Sequence, residues 1–374
     1  MKAGGFLAMK RFLCLSGVVL GLLFFPSCRP DCPKDNVEYS DLFENIADNM
    51  IVPRYAQFQS DLLALQVDLN AFDASDVQTL ISLQEQFKAT YLSWQSVSAF
   101  EFGPAAEYSA LLRINCNSFP ANPSTIEENI QAGTYNLDFP SNYQAKGLPA
   151  FDYLLFHTHQ NELLLELSNA SRIAYMQDCL ADMQGRIGEV VNAWDSYRST
   201  FVGSEEKDQS SSLSLLFNCF LSDYEQIKRN KFALPAGFAT NFGIPLDADT
   251  SMVEGHYSKM SFQLMDANLA ALQNVYLGLG EDGVDGVGIF EKLKEYNAQS
   301  TVVDGDLAVA IQEQFTVCRE AVNQYTNDLP FEILNNSSQI QETSNDLQKM
   351  VPMIKNDMRS YLSVTVTLTD ADGD

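Results

Sequence analysis

The sequence is poor in the residues on which most catalytic signatures rest. Three histidines, two tryptophans and seven cysteines are spread over 374 residues, and no HExxH, CxxC, GxSxG or glycine-rich phosphate loop occurs. The familiar signatures of zinc peptidases, serine hydrolases, dithiol redox proteins and phosphate-binding enzymes are therefore absent. Basic residues are scarce as well: 23 Lys and Arg stand against 49 Asp and Glu, for a formal net charge of -26. Such a surface repels phosphate backbones and anionic headgroups, which argues against nucleic-acid binding and favours cations or basic partners. Strand patterns are equally rare, and only Ser363 to Thr369 alternates in that way. What is abundant is apolar residues, 46% against 19% charged, enough for a sizeable core and two ordinary domains.

Long apolar runs are lacking except at the start. Lys10 and Arg11 precede Phe12 to Phe25, a run too short for a membrane span, which takes about 20 residues. It ends in Phe25-Pro26-Ser27-Cys28, a relaxed lipobox-like sequence with a small residue before the cysteine. Residues 1–27 read as a lipoprotein signal peptide, Cys28 as the lipidated residue and 28–36 as a tether. Ordinary cleavage, leaving Cys28 free or in a disulfide, is the alternative. Arg29 stands where an inner-membrane retention aspartate would be, and no acidic run follows, so an outer-membrane anchor on the periplasmic face is expected. Cys32, Cys116, Cys179, Cys219 and Cys318 are widely spaced and odd in number, which gives no zinc knuckle and no complete disulfide framework, although export allows a pair or two.

Helical periodicity fills the rest. Seams at spacings of three and four run through Tyr55, Phe58, Leu62, Leu65 and Leu69; through Ile173, Met176, Leu180, Met183, Ile187, Val190, Trp194 and Tyr197; through Leu307, Ile311, Phe315, Cys318, Val322 and Tyr325; and through Leu347, Met350, Ile354, Met358 and Tyr361. A further helix holds Leu80, Phe87, Tyr91 and Trp94, with Ser75 or Asp73 as cap. The fold class is all-α, with long loops and little or no β structure. Asn115 to Lys146, rich in Asn and Pro, reads as a long surface connection with a short helix near Thr125 to Gln131. The linker-like GSEEKDQSSS stretch, Gly203 to Ser212, divides an N-terminal bundle, 37–205, from a C-terminal one, 206–374.

Three stretches together resemble the imelysin-like family, also called the imelysin peptidase family. They are Trp94 with Phe100-Glu101-Phe102-Gly103-Pro104; Gly147-Leu148-Pro149-Ala150-Phe151-Asp152 with its apolar continuation; and Leu234-Pro235-Ala236-Gly237 followed by Val253-Glu254, Ser258, Ser261, Asn268-Leu269 and Tyr276-Leu277-Gly278. The resemblance covers essentially the whole mature chain. It implies two related helical bundles, an ancient duplication, with a site between them around a GxHxxE helix. It also implies an exported, often lipid-anchored protein tied to iron acquisition, some members being reported as peptidases or metal binders. In that motif a His and a Glu three apart share one helical face and can converge on a metal. Here Pro149 replaces the histidine and Asp152 the glutamate.

Histidine does not return nearby. On a helix His157 sits about 140° from Asp152, and His159 regains that face about 10 Å away. Asp152 itself has two readings: a ligand-facing carboxylate, or local structure, since Gly147 permits a turn, Pro149 suits a first helical turn and an early acid favours a helix N-terminus. The resemblance supplies a second wall, Glu254, His256, Ser258 and Ser261. Asp152 and Glu254, with Glu101 and His256, would form an oxygen-dominated pocket suited to iron or another divalent or trivalent cation. The acidic segments Glu281 to Gly286 and Asp370 to Asp374 lack the closing bidentate acid of a calcium loop and read as solvated turns. The expected function is a non-catalytic envelope lipoprotein binding a metal ion, a metal complex or a protein partner in iron uptake. The alternatives are an interaction module for a protein or glycan without metal, and a metallopeptidase, which Pro149 disfavours.

Overall fold

Wherever apolar residues recur at three and four, the chain is helical. The computed structural model describes residues 37–204, 208–241 and 243–367. Residues 1–36, with Cys28 and Cys32, the expected domain boundary at 205/206 and the terminal acidic run lie outside the described residues. Helices α1 (Ser40–Ile46) and α2 (Val52–Ala71) are joined by a π-helical stretch, Ala47–Ile51. Then come α3 (Val77–Val97), α4 (Leu112–Cys116), α5 (Pro123–Ala132), α6 (Gly147–Phe156), α7 (Gln160–Leu167) and α8 (Ala170–Val202). After the linker follow α9 (Ser212–Glu225), continued by a π-helical stretch Gln226–Ala233, then α10 (Ser261–Leu277), α11 (Ile289–Glu295) and α12 (Leu307–Asn323). The chain closes with α13 (Leu329–Asn335), α14 (Ser337–Pro352), a π-helical stretch Met353–Met358 and α15 (Arg359–Leu362). Among the described residues the one strand pair is a two-residue ladder, Thr240–Asn241 against Ile244–Pro245.

The seams face inward: Tyr55, Phe58, Leu62, Leu65 and Leu69 are buried, as are Met176 to Trp194 at their helical spacing and Leu307 to Val322 at theirs. Helices α2, α3 and α8 pack together, as do α10, α12 and α14, and α3 lies against α10. Burial of such faces, at about 25 cal/mol per Å² of apolar surface, is the main force holding them. Side-chain caps fix the starts: Asp76 for α3, Asn169 for α8, Ser211 for α9 and Asp306 for α12. Asp76 takes the place expected of Ser75 or Asp73, while Asp73 receives the Ser75 N–H within the preceding turn.

The all-α reading holds at the tail, and one expectation, that the long connection lies on the surface, is corrected. Ser363 to Thr367 makes no strand ladder; instead the Asn218 side chain donates to the Thr365 carbonyl at 2.9 Å and accepts from the Thr367 N–H at 2.8 Å, giving that segment the bonds a neighbouring strand would. The Asn115 to Lys146 connection is not wholly superficial, because Asn115, Cys116, Asn117 and Asn142 are buried, Asn115 donating to the carbonyls of Ala110 and Leu111. Its helix is the expected one, α5, slightly longer at each end. The four described cysteines are free, and burial pushes the Cys219 thiol up to about 12. The Glu281 turn is exposed, although Glu281 itself is held by buried Arg54 at 2.5 Å. No helix among the described residues is long and apolar enough to cross a membrane.

Candidate functional site

Helix α6 begins hard against the backbone of the preceding connection. Gly147 has φ +68°, and a Cβ there would stand 2.4 Å from the Cys116 carbonyl oxygen, so this position admits only glycine. Pro149 follows in the first turn, where its missing N–H leaves no helical bond unmade. One turn later the buried Asp152 carboxylate accepts the Tyr257 and Ser258 N–H groups, each at 2.9 Å. Burial raises its pKa, opposed by its bonds to Ser258 and Tyr257 and by nearby His256. The acid therefore ties α6 to a loop of the chain's second half instead of neutralising its own helix terminus.

That loop, 253–260, carries the remaining candidates. Gly255 and Lys259 have φ of +63° and +61°, and the turn they allow directs Glu254 inward. Ser261, at the start of α10, donates its hydroxyl to the Glu254 carbonyl at 2.7 Å. The Glu254 side chain accepts from Asn117 at 2.7 Å and Gln95 at 3.1 Å, and its other oxygen lies 2.9 Å from the Lys231 ammonium. Lys231, also buried, donates to Gln95 at 2.6 Å and Asn268 at 2.8 Å.

The network continues through Asn268, which donates to Asp223 at 2.6 Å. Ser98 and Arg113 also donate to Asp223, at 3.0 and 2.9 Å, and the Arg113 backbone N–H meets both oxygens of Glu101 at 3.0–3.2 Å. Burial pushes Glu101 up to about 7, against the pull of Arg113. Two fully buried acids, Glu254 and Asp223, are thus each paired with one of the protein's own cations. Lys231 comes from the π-helical stretch after α9; the wider turn there re-aims side chains relative to the helix before it.

These side chains suit a bare cation poorly. Both Asp152 oxygens hold backbone N–H groups, and Glu254 is shared among two amides and an ammonium. His256 has a buried Nδ1 without a partner, but it is one imidazole nitrogen beside Tyr257, and among the described residues no three His, Cys, Asp or Glu side chains converge. The structure brings Glu254 and Ser261 together, Asp152 with Tyr257 and Ser258 beside them, while Glu101 lies at the far end of the network. His157 is used structurally: Nδ1 meets the Tyr153 carbonyl at 2.9 Å and Nε2 meets Glu166 at 3.0 Å.

Sequence reasoning missed Lys231, Asp223 and Arg113. The available signal was charge on an apolar face, since Asp223 and Lys231 are eight residues apart, about two helical turns. Next to the network a cleft of about 530 Å³ opens, lined by Arg113, Asn117, Phe119, Tyr143, Gln144 and Gln226 among others, with no Asp or Glu in its walls. It meets the network at Arg113 and Asn117.

The family model described as Imelysin matches residues 51–352. No curated protein matches the chain. Among solved structures, one described as an iron-regulated protein A precursor from Parabacteroides distasonis superposes with a TM-score of 0.67 at 16% identity, covering 86% of this chain and 94% of that one. An imelysin-like protein from Psychrobacter arcticum gives 0.65 at 16% identity, covering 90% and 100%. At such identity these likenesses speak for the helical fold.

Proposed function

The chain belongs to the imelysin family, and we propose that it is a non-catalytic ligand-binding component of the cell envelope serving iron acquisition, anchored by lipid at Cys28 on the periplasmic face of the outer membrane. The observation that carries this reading is that Asp152 and Glu254 are both committed to the protein's own donors. A metallopeptidase needs a metal-bound water and a free general base; with proline at position 149 and both carboxylates engaged, the geometry favours a rigid binding scaffold. The iron link draws on the family and on the neighbour described as iron-regulated.

Calorimetry and thermal denaturation of the purified protein with iron salts and iron chelates test the proposal, because a ligand that binds only the native state raises its stability. Saturable one-to-one binding of an iron species is expected, with no cleavage of peptides. Chelator-sensitive peptide cleavage that disappears in Asp152→Ala would overturn it. In the binding reading Asp152→Ala has another signature: the Tyr257 and Ser258 amides lose their acceptors and exchange hydrogen faster by at least tenfold, the consequence of losing bonds to a charged group worth about 1.5–3 kcal/mol each.

A second reading, an interaction module for a protein or glycan partner, is favoured by a groove between α10, α12 and α13. There Phe262 and Tyr325 stack 4.5 Å apart with rings 11° from parallel, beside exposed Phe331 and Lys259. Partner binding lost in Phe331→Ala, with no response to iron species, would promote that reading.

A further inference from the structure

We infer that the cleft beside the interior network receives a small polycarboxylate, free or as its anionic ferric chelate, with Arg113 as the anchoring cation. The inference rests on the ligand-binding reading above and names the chemistry of its ligand. A protein of net charge -26 presents here a concavity whose walls hold an arginine and several amides but no carboxylate. At about 530 Å³ it falls within the range of small-molecule sites, roughly 300–1,000 Å³.

Arg113 is held for this task. Its Nη2 is spent on Asp223 and the Ser98 carbonyl, which fixes the plane of the guanidinium. Nε and Nη1 have no partner among the described residues and are not among the buried unpaired atoms, so they reach the cleft, consistent with a side chain 22% exposed. A fixed guanidinium edge with two unspent donors fits a carboxylate in the paired geometry that arginine favours, at little further cost in side-chain entropy. Around it, among the described residues, the Tyr143 hydroxyl and the Gln144 side-chain amide have no hydrogen-bond partner, and Gln226 uses its carbonyl for Asn230 while its amide N–H groups are unspent. Neutral donors around one cation select oxyanions and, through Arg113, disfavour bare metal ions.

The test titrates the full-length purified protein with citrate, ferric citrate, triethyl citrate as the uncharged control, and ferrous sulfate, in parallel with Arg113→Gln and Gln144→Glu. Gln144 is exposed and outside the network, so Gln144→Glu places a negative charge in the cleft without disturbing the interior, whereas Arg113→Gln also removes the cation beside Asp223. Binding of citrate or its chelate, but not of the triester, should weaken about tenfold or more in Arg113→Gln, the loss expected for a hydrogen-bonded charge pair. In Gln144→Glu it should weaken severalfold with an unchanged melting temperature. Citrate alone binding as well as ferric citrate identifies the free acid as ligand; binding of ferric citrate only identifies the chelate. Unchanged affinity in Gln144→Glu, or binding of ferrous ion with no response to either anion, overturns the anion site and leaves the ligand-binding reading standing. No binding of any iron species or anion overturns both.

Discussion

Two ion networks in this protein use the same groups under opposite conditions. In the outer one, Arg172 of α8 bonds Glu127 at 2.7 Å and Glu166 at 3.1 Å, while Tyr153 donates to Glu127 and His157 meets Glu166. Those two acids are 41% and 36% exposed, so water shares in their solvation. In the inner one, Lys231 and Glu254 are 4% and 1% exposed and Asp223 is fully buried, so every charge depends on its protein partners. A buried pair returns little net stability, because desolvation offsets attraction, yet breaking it is costly because the remaining charge stands alone. The inner network thus specifies how the halves meet: its members come from α3, the 113–117 stretch, α9 with its π-helical extension, the 254 loop and α10. The outer one trims a surface.

The most forceful way to break this comparison is Lys231→Met. Glu254 would keep its two amide donors and lose its cation, and urea unfolding should show a loss of about 3–5 kcal/mol. Lys231→Met with Glu254→Gln should recover most of it, since no buried charge then lacks a partner. A single variant costing less than about 1 kcal/mol would mean that the pair behaves like the surface network and that water reaches it.

The contrast also explains what could be read in advance. Helices were legible because burial of one face repeats along the chain: Phe58, Leu62 and Leu65 state their own periodicity. Asp152, Glu254 and Ser261 were legible through family resemblance, but their roles were not, since a backbone N–H acceptor and a metal ligand look alike as letters. Lys231, Asp223 and Arg113 were obscure because their partners lie 23, 45 and 110 residues distant and no local spacing announces a long-range pair. Lys231, for example, reads as a surface charge until α9, its π-helical extension and the 254 loop are brought together. The tail's alternation, the one strand-like signal, was outweighed by the helical pattern and pairs with no strand: its partner is a single side chain, Asn218.

A smaller effect sharpens the comparison at the network's edge. Glu101 has an ordinary carboxyl pKa near 4.5 when unfolded and about 7 in the fold, so between those values the folded state holds the extra proton. Its burial is therefore harmless below about pH 4.5, and the stability it costs grows as pH rises and is complete above about 7. Glu101→Gln, which still accepts from the Arg113 N–H, should gain on the parent by roughly 1–3 kcal/mol between pH 5 and pH 8, once partial exposure is allowed for. Thermal denaturation at both pH values reads this directly, and parallel curves for the two proteins would show that Glu101 ionises like a surface acid.

The smallest effect belongs to the outer cluster and completes the contrast. Glu127→Gln leaves one amide oxygen to accept from Arg172 and an NH2 that can donate to the Tyr153 hydroxyl in its turn, in a place where water already screens the charge. The loss should stay below about 1 kcal/mol and shrink further as salt is raised, because exposed pairs are screened over about 10 Å at 0.1 M. Lys231→Met in the same salt series should hold its full cost, since the ions cannot enter. If instead both losses fell together with salt, the interior pair would be solvated, and the division between a network that specifies and one that decorates would collapse.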